Sequence, residues 1–204
     1  MSTASAAYAC AGWFGKIPAR GDFITRNLPA SFVEPWDEWL CAELPDAGAR
    51  LAQGWEAIWR DAPVLCFSVG ERTTDERTWL GVLIPSFDRV GRQFPLTVCL
   101  SPCPSPERSV CTTRGRGWWD ALAAVGLHAL GRGSGPETLD DELARFASTP
   151  LVYGCGTTSG GEEQTSSDPG TSCWWSWRDG HAGPPHRFSR LPRGACFRGL
   201  LRAR

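Results

Sequence analysis

Two charged stretches carry the residue types that could do chemistry. The first is Gly12-Trp13-Phe14-Gly15-Lys16-Ile17-Pro18-Ala19-Arg20-Gly21-Asp22-Phe23, with Arg26 just beyond it; Lys16 is the only lysine of the chain. The second is Pro85-Ser86-Phe87-Asp88-Arg89-Val90-Gly91-Arg92-Gln93-Phe94-Pro95-Leu96. Lys16, Arg20, Asp22 and Arg26 have the charge for an anion site. Their glycines are not spaced as in a phosphate loop, however: Gly-x4-Gly-Lys-Ser/Thr is absent, and no helix signal follows. Asp22, Asp37 and Asp88 have the chemistry for acid–base or metal work. Each has arginine nearby in the sequence or in a neighbouring loop, so the favoured reading is an Arg–Asp lattice that satisfies buried loops. Both motifs fall at expected strand ends. They are therefore expected to meet, with Asp22 and Asp88 each accepting from an arginine among Arg20, Arg26, Arg89 and Arg92.

Other chemistry finds little support. His128, His181 and His186 have no third partner at ligand spacing, so no metal is expected. There is no Gly-x-Ser-x-Gly elbow, and no cysteine carries the marks of an activated nucleophile. No cofactor is implied. Core packing is the expectation for Trp13, Trp118, Trp119, Trp174 and Trp175. A tryptophan left at the surface would be an interface anchor, and Trp36 and Trp39 are candidates for that role.

The elements that must position these residues follow from periodicity and turn signals. Cys10 to Ile17 reads as a strand. Ser31-Phe32-Val33-Glu34 has capping-box spacing, Pro35 fits a first helical turn, and Phe32, Trp36, Trp39 and Leu40 share a helical face. Pro45-Asp46 is expected to end that helix. Leu51, Trp55, Ile58 and Trp59 mark a second, stopped at Pro63. Strands are expected at Val64–Val69, Trp79–Ile84 and Phe94–Leu100. The second of these is nearly all apolar, as in a strand buried on both faces. Helices are expected around Trp118–Ala129, closed by Gly131 and Gly133, and over Pro136–Ala147. A late strand falls at Cys173–Trp177, a Gly/Pro loop at His181–Arg187, and a short terminal helix over Leu191–Leu201. Gly154–Gly170 lacks large apolar residues and reads as a long flexible loop. Residues 1–9 read as a flexible N-terminus, and 10–204 as one domain. The whole is expected to be α/β, with helices covering a mixed, partly antiparallel sheet.

Composition narrows the function. The chain has 204 residues, 21 basic and 22 acidic, so net charge makes no case for nucleic acid or a membrane surface. From Arg187 onward six arginines and no acid make a locally basic tail. Residues 1–11 have neither basic residues nor a long apolar run, and no stretch is long enough to span a bilayer. A cytoplasmic protein with free thiols is expected, since the nine cysteines are odd in number and contain no Cys-x-x-Cys pair.

The two charged motifs, with Pro35-Trp36-Asp37-Glu38-Trp39-Leu40 between them, resemble the TagF (ImpM-type) proteins of bacterial type VI secretion. Ser172-Cys173-Trp174-Trp175 and the ending from Leu191-Pro192 to Leu200-Leu201 also fit. The resemblance implies a three-layer α/β/α sandwich. It also implies a cytoplasmic, non-enzymatic accessory protein, similar to post-translational repressors that contact a forkhead-associated scaffold protein. Some members carry a fused phosphatase domain, and this chain is too short for one. The alternative is a small enzyme or anion-binding protein using the Arg/Asp cluster on a phosphate or carboxylate. For a repressor, the basic tail and the edge of the Trp36–Trp39 helix are the candidate surfaces. Oligomeric state does not follow from the sequence.

The cysteine pattern makes one prediction. Thiol titration of denatured protein, purified with its thiols protected, finds nearly all nine cysteines free. Four or more paired would overturn the cytoplasmic expectation.

Overall fold

A computed structural model describes residues 8–102, 116–131, 133–148, 168–178 and 180–203. Strand β1 (Tyr8–Gly15) is followed by a short β2 (Ile24–Arg26) and a long helix α1 (Ala30–Leu51). A 3-10 turn (Ala52–Gly54) leads to α2 (Trp55–Asp61). Then come β3 (Val64–Val69), β4 (Trp79–Ile84), β5 (Leu96–Pro102), α3 (Arg116–Ala129) and α4 (Pro136–Ser148). The chain closes with β6 (Thr171–Arg178), β7 (His181–Ala182), β8 (His186–Ser189) and α5 (Ala195–Leu201). The loop expected at 154–170 lies outside the described residues up to 167, as does the N-terminus up to residue 7.

The sheet runs β2-β1-β5-β4-β3-β6-β7, with β8 also on β6. Every pairing described is antiparallel, which corrects the expected mixed sheet. The connections explain the difference. A single helix between two strands returns the chain for a parallel strand, whereas the described residues between β5 and β6, which are not neighbours in the sheet, form two helices, α3 and α4. The strands β3, β4 and β5 form a plain meander.

Side chains alternate across this sheet between two apolar clusters. Cys66, Leu80, Val82, Leu96, Val98 and Trp175 pack with Trp119 and Leu122 of α3 and Leu139 and Leu143 of α4. Leu65, Phe67, Trp79, Leu83, Cys99 and Trp174 pack with Phe32, Trp36 and Trp39 of α1, Trp59 of α2 and Phe197 of α5. Both faces are therefore apolar, which is why β3 and β4 read as unbroken hydrophobic runs although their neighbours are antiparallel.

Several local expectations are corrected. Helix α1 begins after Pro29 with no side-chain cap. The Ser31 hydroxyl instead donates to the Asp75 carboxylate at 3.1 Å. Pro45 does not end the helix, which continues to Leu51. The proline is on the exposed side, and so is Cys41, whose carbonyl loses its helical donor. Ala47, on the other side, is fully buried and holds the last turns to the core. The supposed loop at 181–187 holds β7 and the start of β8, both on the same edge of β6 and separated by Gly183-Pro184-Pro185. The six described cysteines, Cys10, Cys41, Cys66, Cys99, Cys173 and Cys196, form no disulfide.

The sheet centre is tight at Gly81, which faces Phe67 on β3 and Cys99 on β5. A methyl group there would lie 2.5 Å from the Phe67 ring and 2.6 Å from the Val98 carbonyl oxygen. Gly81→Ala is expected to destabilise the fold by roughly 1–3 kcal/mol through overpacking. Equilibrium urea unfolding measures this, and an unchanged midpoint would show that the sheet centre yields.

Candidate functional site

The two charged motifs meet where β1 and β4 end. Gly15 takes φ +134°, where a side chain would collide with the Pro95 backbone, so only glycine allows this approach. The next residue, Lys16, turns inward and is 5% exposed. Its Nζ donates to Asp88 Oδ2 at 3.1 Å, and its carbonyl accepts from Ser86 Oγ at 2.8 Å. The following turn closes with Arg20 N donating to the Ile17 carbonyl at 3.1 Å.

Asp88 organises the second turn. Its Oδ1 accepts from the backbone N–H groups of Val90 (3.0 Å) and Arg92 (2.9 Å). Its Oδ2 accepts from Arg92 Nε at 2.6 Å as well as from Lys16. Removal from water alone would raise the Asp88 pKa. The Arg92 backbone and side chain, the Lys16 ammonium and the Val90 N–H outweigh it and hold the carboxyl well below the usual carboxylate range. Two bonds then lock the turns together: Arg89 N donates to the Arg20 carbonyl at 2.9 Å, and Arg92 Nη2 donates to the Gly21 carbonyl at 2.5 Å.

The other candidates divide. Asp22 is exposed, and its carboxylate accepts from the backbone N–H of Phe23 at 2.8 Å. It takes no arginine among the described residues, so in them the expected lattice forms at Asp88 and not at Asp22. A short residue beside Gly21 completes its own turn more readily than it reaches a guanidinium. Arg20 lies 3.8 Å from Glu137, and Arg26 lies 3.6 Å from Asp140, so both reach toward α4. Arg89 has no carboxylate partner among the described residues. Asp37 stays on α1, where it accepts from Cys41 Sγ at 3.6 Å, and does not join the site. Trp36 and Trp39 are buried against the sheet at 0% and 2% exposure, so neither is a surface anchor. Their indole N–H groups donate inward, to Thr97 Oγ1 at 2.9 Å and the Pro192 carbonyl at 2.8 Å.

Sequence reasoning missed Ser86, Asp140 and Phe23. Ser86 stood beside the charged residues, and its burial was the only signal it lacked. Asp140 accepts the Trp13 indole N–H at 2.7 Å across 127 residues, a contact no local pattern reveals. Phe23 stays half-exposed, with its ring centroid 4.7 Å from Phe94 and 4.7 Å from Lys16 Nζ.

This arrangement is structural first. The Asp88 carboxylate fills the position that an anionic ligand of Lys16 and Arg92 would take. Among the described residues no three His, Cys, Asp or Glu side chains converge as a metal site.

Residues 12–146 match the family described as the TagF N-terminal domain, type VI secretion system-associated. The chain belongs to the TagF family. Both charged turns and the helix between them fall inside the matched region. The crystal structure of PA0076 from Pseudomonas aeruginosa PAO1 is similar, with a TM-score of 0.76 and 28% identity over 94% of this chain and 93% of that one. No curated protein matches at a significant level. This TagF chain is therefore a type VI secretion-associated protein, with the Lys16–Asp88–Arg92 cluster inside its family-defining region.

The geometry separates the two aspartates. Asp88→Ala strands Lys16 and is expected to lower the melting temperature by roughly 5–10 °C, whereas Asp22→Ala should change it by less than about 2 °C. Equal shifts would show that Asp88 does not hold the turns. Because the folded pKa of Asp88 is depressed, its stabilisation is complete above the ordinary aspartate range and is lost as pH falls toward the folded value. The gap between wild type and Asp88→Ala in thermal melts should therefore narrow as the pH is taken well below 4.

Proposed function

We propose that this chain represses type VI secretion after translation, by binding a forkhead-associated scaffold protein in the cytoplasm and not by turning over a substrate. The observation that carries the reading is the family match over residues 12–146. The charge chemistry favours it as well. A catalytic reading needs carboxylates free to work, yet Asp88 already accepts four hydrogen bonds. Its acceptor capacity is filled by residues that hold two loops together. No helix among the described residues is long and apolar enough to cross a membrane, so nothing in them pulls the protein away from a soluble partner.

On this reading the fold is a three-layer α/β/α sandwich used as a rigid support. The two apolar clusters, one with α3 and α4 and the other with α1, α2 and α5, favour that arrangement. The basic tail is a weaker candidate surface than its composition suggests. Arg198 is paired with Asp46 at 2.6 Å, and Phe197, Leu200 and Leu201 are buried.

The test is made in a bacterium with an active type VI apparatus. Overproduction of this chain is expected to suppress release of the secreted tube protein while its intracellular amount stays constant, and the scaffold should co-purify. Unchanged secretion, together with no scaffold recovered, would overturn the regulatory reading.

A further inference from the structure

The two turns form a surface whose composition exceeds what their structural role requires. Residues 16–23 and 86–93 hold four basic side chains, Lys16, Arg20, Arg89 and Arg92, against two acidic ones, Asp22 and Asp88. Asp88 is buried and shared by Lys16 and Arg92, so its charge is directed inward. Arg89 is exposed and has no carboxylate partner among the described residues. Among the described carboxylates Arg20 reaches Glu137, at 3.8 Å and in an exposed geometry that contributes little. On the outward face the exposed Arg20, Arg89 and Arg92 outnumber the one exposed carboxylate of these turns, Asp22, so the face is basic although the whole chain is nearly neutral.

The same turns expose two of the three large hydrophobic residues described as exposed. Phe23 is 45% exposed and Val90 68%; the third, Leu127, is 40% exposed on α3. Phe23 is not loose. Its ring stacks with Phe14 at 6.1 Å, meets Phe94 edge-on at 4.7 Å and lies under the Lys16 ammonium. An aromatic ring held half-exposed by its neighbours loses little freedom when a partner covers it. Aromatic and arginine side chains are also the groups from which interfaces draw most of their energy. Beside the turns lies a cleft of about 510 Å³, with Trp55 and Arg60 of α2 on one side and Arg92 on the other. Its lining adds the rings of Trp55 and Phe87 and two guanidinium groups, with Glu56 as its one carboxylate.

We propose that the joined 18–23 and 89–92 turns, with Phe23 and Val90 as apolar anchors and Arg20 and Arg89 as charged ones, are the docking surface for an acidic face of a partner protein. Carboxylates are the complement of unpaired guanidinium groups, which they accept in a bidentate manner. Apolar contacts flanked by ion pairs match the usual layout of an interface core and rim. The inference rests on the regulatory reading for the partner's expected identity, but not for the position of the surface.

Site-specific cross-linking tests it with the full chain in a type VI-active bacterium. A photoreactive residue is placed at position 90, with position 127 as the exposed apolar control. Position 90 is expected to give a cross-link that position 127 does not, mapping to a partner segment rich in Asp and Glu. Arg89→Glu in the same chain should reduce it at least tenfold, and the milder Arg89→Ala should reduce it less. If the mapped protein is not the forkhead-associated scaffold, the surface stands and the scaffold reading falls. A product at 90 no stronger than at 127, or insensitive to Arg89→Glu, or mapped to a segment without acidic residues, overturns the surface itself.

Discussion

A buried lysine–aspartate pair is the contact on which the functional end of the molecule depends. Lys16 and Asp88 are 72 residues apart and almost fully enclosed. Enclosing two charges is costly, and a well-packed apolar pair would often be as stable. The pair fixes position as well as contributing energy. Asp88 accepts the backbone N–H groups of its own turn on one oxygen and two cationic donors on the other. A single carboxylate therefore shapes the 88–92 turn and joins it to the 16–21 turn. The outward direction of Arg89 and Val90, and the half-exposure of Phe23, follow from that bond pattern.

The support beneath these turns is built with tryptophan. Four of the buried indoles combine a large apolar area with one polar bond to a distant part of the chain. Trp59 donates to the Ser86 carbonyl at 3.0 Å, tying α2 to the second turn. Trp13 donates to Asp140, tying β1 to α4. Trp36 donates to Thr97 and Trp39 to the Pro192 carbonyl, tying α1 to the sheet and to the segment before α5. A leucine core would fill the same volume without these directional links. The Trp119 indole N–H, by contrast, is buried with no hydrogen-bond partner among the described residues.

Where the sequence was legible, local pattern and burial agreed. The runs at 64–69 and 79–84 were readable as strands because both faces are apolar. The helices at 116–129 and 136–148 were readable because their apolar residues repeat with helical period and Gly131 and Pro136 punctuate them. Pro45 misled because a proline's cost depends on which side of the helix it faces, and the sequence does not print that side. Ser31 misled because its hydroxyl had a better acceptor, Asp75, 44 residues away. Strand direction failed for a similar reason: it depends on whether helices between strands come singly or in pairs. At the site, Lys16, Asp88 and Arg92 were legible as a charge cluster, whereas the outward turn of Asp22 and the burial of Trp36 and Trp39 were set by packing.

The sheet edges bear on how a partner could be engaged. An open edge strand is a ready template for strand addition. Here one edge is β2, only three residues long, with Arg26 drawn toward Asp140. The other edge of β6 is covered by β7 and β8, which are separated by Gly183-Pro184-Pro185. Prolines have no N–H to offer an incoming strand. The outer strands β2, β7 and β8 are two to four residues long, and both faces of the sheet carry apolar clusters shared with helices. Recognition by backbone pairing is therefore disfavoured, and side-chain surfaces remain. Among those, the Asp88-held turns combine exposed apolar groups, an arginine with no carboxylate partner among the described residues, and a frame fixed by the buried pair.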